Sequence, residues 1–134
     1  MITSIAEQRA IRALRAGQMI NQFLGYVPSG PPGIAFVAVG PWLPPDEPHG
    51  LMVTVFEVVE TYDEFSRPCL EDMPHLNKNE RFGFGRDVGL RTTPRAALEF
   101  AESELGASRD RWVNQYKLED QYEEWISAGR PPLR

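Results

Sequence analysis

The chain holds a single cysteine, Cys69, in 134 residues, which excludes an intrachain disulfide and fits a reducing compartment. Histidine is almost as scarce, His49 and His75 alone, and no Cys or His pair has the spacing of a zinc site. The acids Asp63, Glu64, Glu71 and Asp72 lack the Asp-x-Asp-x-Asp-Gly spacing of a calcium loop, so the sequence predicts no metal. There is no excess of positive charge: 14 Lys and Arg stand against 19 Asp and Glu, a net charge of -5, which argues against a nucleic-acid partner. Long apolar runs are missing too. The longest, Ile34 to Val39, falls far short of the ~20 residues of a membrane helix, and Glu7, Arg9, Arg12 and Arg15 interrupt the N-terminal segment where a signal peptide would be apolar. The expectation is a cytoplasmic protein with no membrane partner.

Catalytic signatures are equally absent. The chain has no Gly-x-Ser-x-Gly elbow, no phosphate-binding Walker loop and no kinase set. Gly83, Gly85 and Gly89 do not have the spacing of a dinucleotide fingerprint, so no cofactor is expected. Cys69 lies in Ser66-Arg-Pro-Cys-Leu-Glu71, where neighbouring carboxylates raise a thiol pKa, and it reads as a half-buried structural residue. Glu57 and Glu60 stand an odd number of residues apart on one predicted strand and point to opposite faces, so they form no simple acid pair. Whichever points inward needs a partner.

What is present is the patterning of an ordinary folded domain, with 42% hydrophobic and 25% charged residues. Ser4 with Glu7 has the capping-box spacing, and Ala6, Ala10, Ala13, Gly17, Ile20 and Leu24 form one stripe, predicting a helix over residues 4–24. Ile34–Val39 and Leu51–Tyr62 read as strands flanking a proline-rich hairpin loop, and Glu80–Leu90 as a third strand bent at Gly85 or Gly89. Thr93-Pro94 opens a helix that runs to Leu105, and Ser108 caps a last helix over Arg109–Ala128. The order α-β-β-β-α-α predicts one α+β domain over 1–134, with an antiparallel sheet of at least three strands.

Charge and aromatics are unevenly placed. Residues 41–80 carry -7, whereas residues 1–40 carry +2 and the remainder balances. Trp112, Tyr116, Tyr122 and Trp125 fall within fourteen positions, beside Glu119 and Glu123, and sweep half the predicted last helix. Aromatic rings with polar tips next to acids suit a protein-binding surface. The predicted partner-binding residues are therefore Trp42, Asp46, Glu47, Asp63, Glu64, Glu71, Asp72, Tyr116 and Tyr122, docking a protein with a basic face. The expected function is that of a small acidic protein acting by binding another macromolecule, as an inhibitor, an immunity-type or antitoxin-type protein, or an adaptor. The alternatives are a small-molecule binder or enzyme with a pocket between the sheet and the C-terminal helix, and a homo-oligomer built through that helix.

Overall fold

A computed structural model describes residues 5–43, 45, 49–61, 68–77 and 85–134. Helix α1 (Ile5–Arg15) is followed by three strands, β1 (Ile20–Tyr26), β2 (Gly33–Trp42) and β3 (Gly50–Val59). A single 3-10 turn (Leu70–Asp72), β4 (Arg86–Arg91) and α2 (Pro94–Leu105) come next. The chain closes with the short β5 (Val113–Asn114), a second 3-10 turn (Gln115–Lys117) and α3 (Leu118–Ser127). Among the described residues this is an α+β fold: three helices on a five-stranded antiparallel sheet of order β4-β3-β2-β1-β5.

The N-terminal helix is half the expected length, for a local reason. Gly17 adopts φ +78, and the chain turns out of α1 through Gly17 N–H to Leu14 O (3.1 Å) and Gln18 N–H to Ala13 O (2.9 Å). That paired closure is the Schellman stop, which glycine allows because it lacks a Cβ. Ile20 and Leu24, read above as the end of a helical stripe, instead alternate along β1 with Phe23 between them. Ser4 lies outside the described residues.

Alternation along the strands gives the sheet two apolar faces. Ala35, Val37 and Val39 of β2 face Ala10 and Leu14 of α1 and Leu98 and Ala101 of α2. Ile34 and Phe36 face Leu118, Tyr122 and Trp125 of α3, with Leu70 and Met73 of the 3-10 turn. Phe36 stacks on Phe56 at 4.7 Å, and Phe23 meets Tyr122 at 5.3 Å and Trp125 at 4.9 Å. With both faces covered, β1 and β2 are buried almost throughout, the reason β2 reads as a continuous apolar run.

The strands extend differently from expectation at their ends. β2 continues through Pro41 and Trp42, opposite Leu51 and Gly50, because β1 stops pairing at Val39 and leaves Pro41 with a neighbour on one side only. β3 ends at Val59, and Tyr62 is outside the described residues. The third predicted strand begins at Arg86, residues 80–84 also being outside them. Its irregularity is a bulge between Asp87 and Gly89, opposite Val53 and Thr54. At Gly89 a Cβ would stand 2.7 Å from the Phe100 ring, so the missing side chain lets α2 lie close.

Helix α2 has the predicted bounds: Thr93 accepts from Ala96 N–H at 3.2 Å, and Gly106 (φ +75) ends it. The long last helix does not form. Asn114 accepts from Tyr116 N–H (3.0 Å) in a local turn, and Val113 and Asn114 pair with Asn21 and Ile20 on the edge of β1. A sheet pairing therefore interrupts the helical pattern and delays α3 to Leu118. As a result Trp112 and Trp125 lie in different cores, the first on the α1/α2 face and the second on the α3 face. Because the sheet separates them, the destabilisations of Trp112→Phe and Trp125→Phe should add within about 0.5 kcal/mol in urea unfolding. A coupling above about 1 kcal/mol would mean that both rings share one core.

Candidate functional site

Helix α3 packs on the sheet through Leu118, Gln121, Tyr122 and Trp125, which are buried. That face orients the intervening residues outward, and all the outward charges are acids. Glu119 and Asp120 occupy the first turn, Glu123 and Glu124 the second half, and the helix contains no basic residue. Asp120, Glu123, Glu124, Ser127 and Ala128 line a shallow, open recess along the helix.

The 3-10 turn carrying Glu71 and Asp72 lies against the start of α3. Its attachment is Leu70 N–H, which donates to Glu119 Oε1 at 2.8 Å. Burial raises the Glu119 pKa above its ordinary value, against the lowering effect of that hydrogen bond, and the charges of Glu71, Glu123 and Asp72 raise it further. Lys117 lies 3.8 Å from Asp120, both exposed, a pair worth little in water. Immediately before α3, Tyr116 is 81% exposed. It shares a recess of about 410 Å³ with Met19, another exposed apolar residue, and Asn114.

Of the residues expected to bind a partner, the structure brings Glu71 and Asp72 to the acidic side of α3, exposed, and leaves Tyr116 projecting at the head of that helix. Asp46, Glu47, Asp63 and Glu64 fall outside the described residues. Trp42 sits half-buried at the last position of β2, its indole nitrogen without an acceptor among the described residues.

Tyr122 is corrected outright. It is 1% exposed, packed on Phe23 and Trp125, and its hydroxyl donates to Glu60 Oε2 at 2.5 Å. The physical reason is the helix register: once α3 starts at Leu118, Tyr122 is one turn from it on the same inward face. Sequence reasoning did not select Asp120 and Glu124, although their four-residue spacing, parallel to Glu119 and Glu123, was the signal that they share an outward side.

Glu57 of β3 and Glu60, just beyond the end of that strand, both find cations. Glu57 accepts from Arg86 Nη2 at 3.0 Å, and Glu60, besides Tyr122, accepts from Arg130 Nε at 3.2 Å. Hydrogen bonding to Glu60 raises the Arg130 pKa above its ordinary value, outweighing desolvation. Part of the -7 in residues 41–80 is thus neutralised inside the fold. Cys69, expected half-buried, is exposed. Its thiol pKa is raised, first by the charge of Glu119, then by burial and by Asp72 and Glu71. Among the described residues no group of three His, Cys, Asp or Glu side chains could hold a metal ion, and no helix is long and apolar enough to cross a membrane.

Comparison of the chain with protein-family models, with curated proteins and with solved structures finds no match.

Two consequences of the acidic cluster are measurable. The carboxyl of Glu119 has a folded-state pKa above its unfolded one, so its contribution to stability is greatest at low pH and is lost as pH rises through the folded value. Glu119→Gln keeps an acceptor for Leu70 N–H and removes the charge. Its melting temperature should equal or exceed that of the wild type at pH 7, with the difference shrinking toward pH 4; a variant markedly less stable at pH 7 contradicts this. For Cys69, the raised pKa lowers the thiolate fraction at neutral pH. Alkylation by iodoacetamide at pH 7.5 should run slower than for a free cysteine peptide and speed up in Glu119→Gln, while Cys69→Ser should shift stability by less than about 0.5 kcal/mol.

Proposed function

We propose that the chain acts by binding a protein with a basic face, through the outward side of α3, the adjoining turn at Glu71 and Asp72, and Tyr116. The observation that carries this reading is the sign of the charge at the far end of α3. Carboxylates at a helix N-terminus complement the helix dipole, which accounts for Glu119 and Asp120 without any partner. Glu124 lies in the last turn, where the dipole disfavours it, Glu123 stands at mid-helix one turn from Glu119, and neither pairs with a cation among the described residues. Glu124 opposes the helix by about 0.3–1 kcal/mol at an exposed site, and the like-charged pair Glu119 and Glu123 costs about 0.2–0.5 kcal/mol more. A cationic partner removes that cost, together with the repulsion among Glu71, Asp72, Glu119 and Glu123.

Tyr116 suits the same role, since a rigid ring with a polar tip loses little conformational entropy when it becomes buried at an interface. The acidic side also repels a nucleic-acid backbone, consistent with a protein partner. Steered occupation of a basic surface suits an inhibitor, an immunity-type or antitoxin-type protein or an adaptor, and a cytoplasmic setting suits the exposed thiol of Cys69.

The test uses the whole chain and an arginine-rich peptide as probe, followed by amide chemical shifts. Shifts should concentrate in residues 116–128 and 70–72, and the affinity should fall steeply as salt rises from 0.05 to 0.5 M, as the Debye length contracts to a few Å. The double reversal Glu123→Lys, Glu124→Lys should weaken binding at least tenfold while raising the melting temperature, because it repairs the dipole. Opposite signs for binding and stability are the mark of a functional charge. Shifts mapping elsewhere, or affinity indifferent to the reversal, would sink the proposal.

A further inference from the structure

A second site lies away from the acidic side of α3, under the segment that follows that helix. Gly129 (φ +87) and Arg130 (φ +55) turn the chain back, Arg130 N–H bonding Trp125 O at 2.8 Å. The indole of Trp125 donates to Pro131 O at 2.7 Å, and Arg134 then reaches Leu105 O at 2.8 Å and Tyr26 O at 3.1 Å. The tail thus runs from α3 on one face of the sheet to the end of α2 on the other. Gly25 (φ +82) and Gly106 (φ +75) make room for it, a Cβ on them meeting Leu133 at 3.4 Å and Arg134 at 3.1 Å.

Between this tail, the end of β1 and the last turn of α2 is a cavity of about 580 Å³, within the range of small-molecule sites. Val27, Leu105, Pro132 and Leu133 give it apolar walls, with Tyr26 at one side. Its charged lining is Arg130, Arg134 and Glu104. Arg130 is already neutralised by Glu60. Arg134 is different: both of its hydrogen bonds go to backbone carbonyls, and no carboxylate among the described residues lies within ion-pair distance. Arg134 is exposed overall, its two hydrogen bonds hold the guanidinium beside the cavity, and Glu57, the carboxylate acting on it at longer range, is committed to Arg86. A guanidinium offers five N–H donors in a planar fork, of which two are occupied here.

We propose that this cavity binds a small carboxylate with an apolar body, the carboxylate on Arg134 and the apolar part against Val27, Leu105 and Leu133. A fork of donors beside an apolar wall matches that ligand in both geometry and charge. The shared chemistry has two sources, a plain aryl or alkyl carboxylate and an apolar amino acid. Glu104, exposed and without an ion pair among the described residues, distinguishes them, because it would hold an ammonium group.

The experiment titrates the full chain calorimetrically with 3-phenylpropionate, phenylalanine and phenethylamine, with amide spectra confirming the folded state. Both carboxylates should bind at millimolar concentration or below and phenethylamine should not. Arg134→Gln should lower carboxylate affinity at least tenfold. Because that variant also loosens the tail, Leu105→Trp provides the second arm: it fills the cavity, leaves Arg134 in place, and should abolish binding while the Trp125 indole N–H resonance stays put. A preference for phenylalanine that disappears in Glu104→Gln identifies an amino acid as the ligand; equal affinities identify a plain carboxylate. No binding by the folded wild type, equal binding of phenethylamine, or indifference to both variants overturns the proposal. None of these results depends on whether the acidic side of α3 binds a basic protein.

Discussion

The outer edge of β1 is the constraint around which the C-terminal third of the chain is arranged. A buried strand edge must have its N–H and C=O groups satisfied, and β5 pairs with Ile20 and Asn21 alone. Side chains supply partners at Phe23 and Tyr26. Gln121 accepts from Phe23 N–H at 2.9 Å and donates to Arg111 O at 2.7 Å; Gln22 donates to Ser108 O at 2.9 Å and accepts from Ser108 N–H at 2.6 Å; Arg134 closes on Tyr26 O. Gln121 and Arg134 thus serve backbone groups of β1, while Gln22, itself a β1 residue, holds the backbone of Ser108 through its side chain. Because each amide both donates and accepts, it fixes the position of the segment that brings it, and α3 is held at one height along β1. That placement sets Tyr122 and Trp125 against Phe23, and it decides which residues of α3 remain outside.

This constraint also explains where the sequence was readable. Helix α2 was legible to its end residues because every signal in it is local: Thr93 as cap, Pro94 in the first turn, an apolar stripe, Gly106 in the left-handed region. The strands β2 and β3 were legible as elements through their β-branched content, and the order of helices and strands gave the α+β class. The two misread segments, residues 16–26 and 109–117, are the two that pair with each other. A helical stripe through Ile20 and Leu24, and an aromatic arc through Trp112 and Tyr116, are real periodicities, but long-range pairing between Ile20 and Asn114 overrides them. The first helix is also stopped locally, at Gly17, whereas the pairing with β1 accounts for the second error.

The candidate sites divide along the same line. Glu71, Asp72 and Tyr116 could be chosen from composition because exposed acids and a lone aromatic beside them carry their own signal. Tyr122 carried the same signal and went inward, since composition does not contain the helix register. The cavity at Arg134 had no sequence signal at all. Its lining comes from β1, α2 and the tail, segments separated by up to 108 positions, and only the folded chain assembles them.

Charges that are paired in the fold and charges that are not therefore have different meanings here. Glu57 with Arg86, Glu60 with Arg130 and Tyr122, and Glu7 with Arg95 tie elements together, and each is accounted for by the structure it holds. Glu60 is the clearest case: it links the end of β3 to the core of α3 and to the turn that starts the tail, so the tail is anchored at both ends, by Glu60 at Arg130 and by backbone carbonyls at Arg134. Glu123, Glu124 and the guanidinium of Arg134 lack an ionic partner among the described residues, and Glu124 also stands in the last turn of α3, where the dipole disfavours a carboxylate. One group of negative sign on an outward helix face and one positive charge at an apolar cavity are therefore open to a ligand in a way that the paired charges are not.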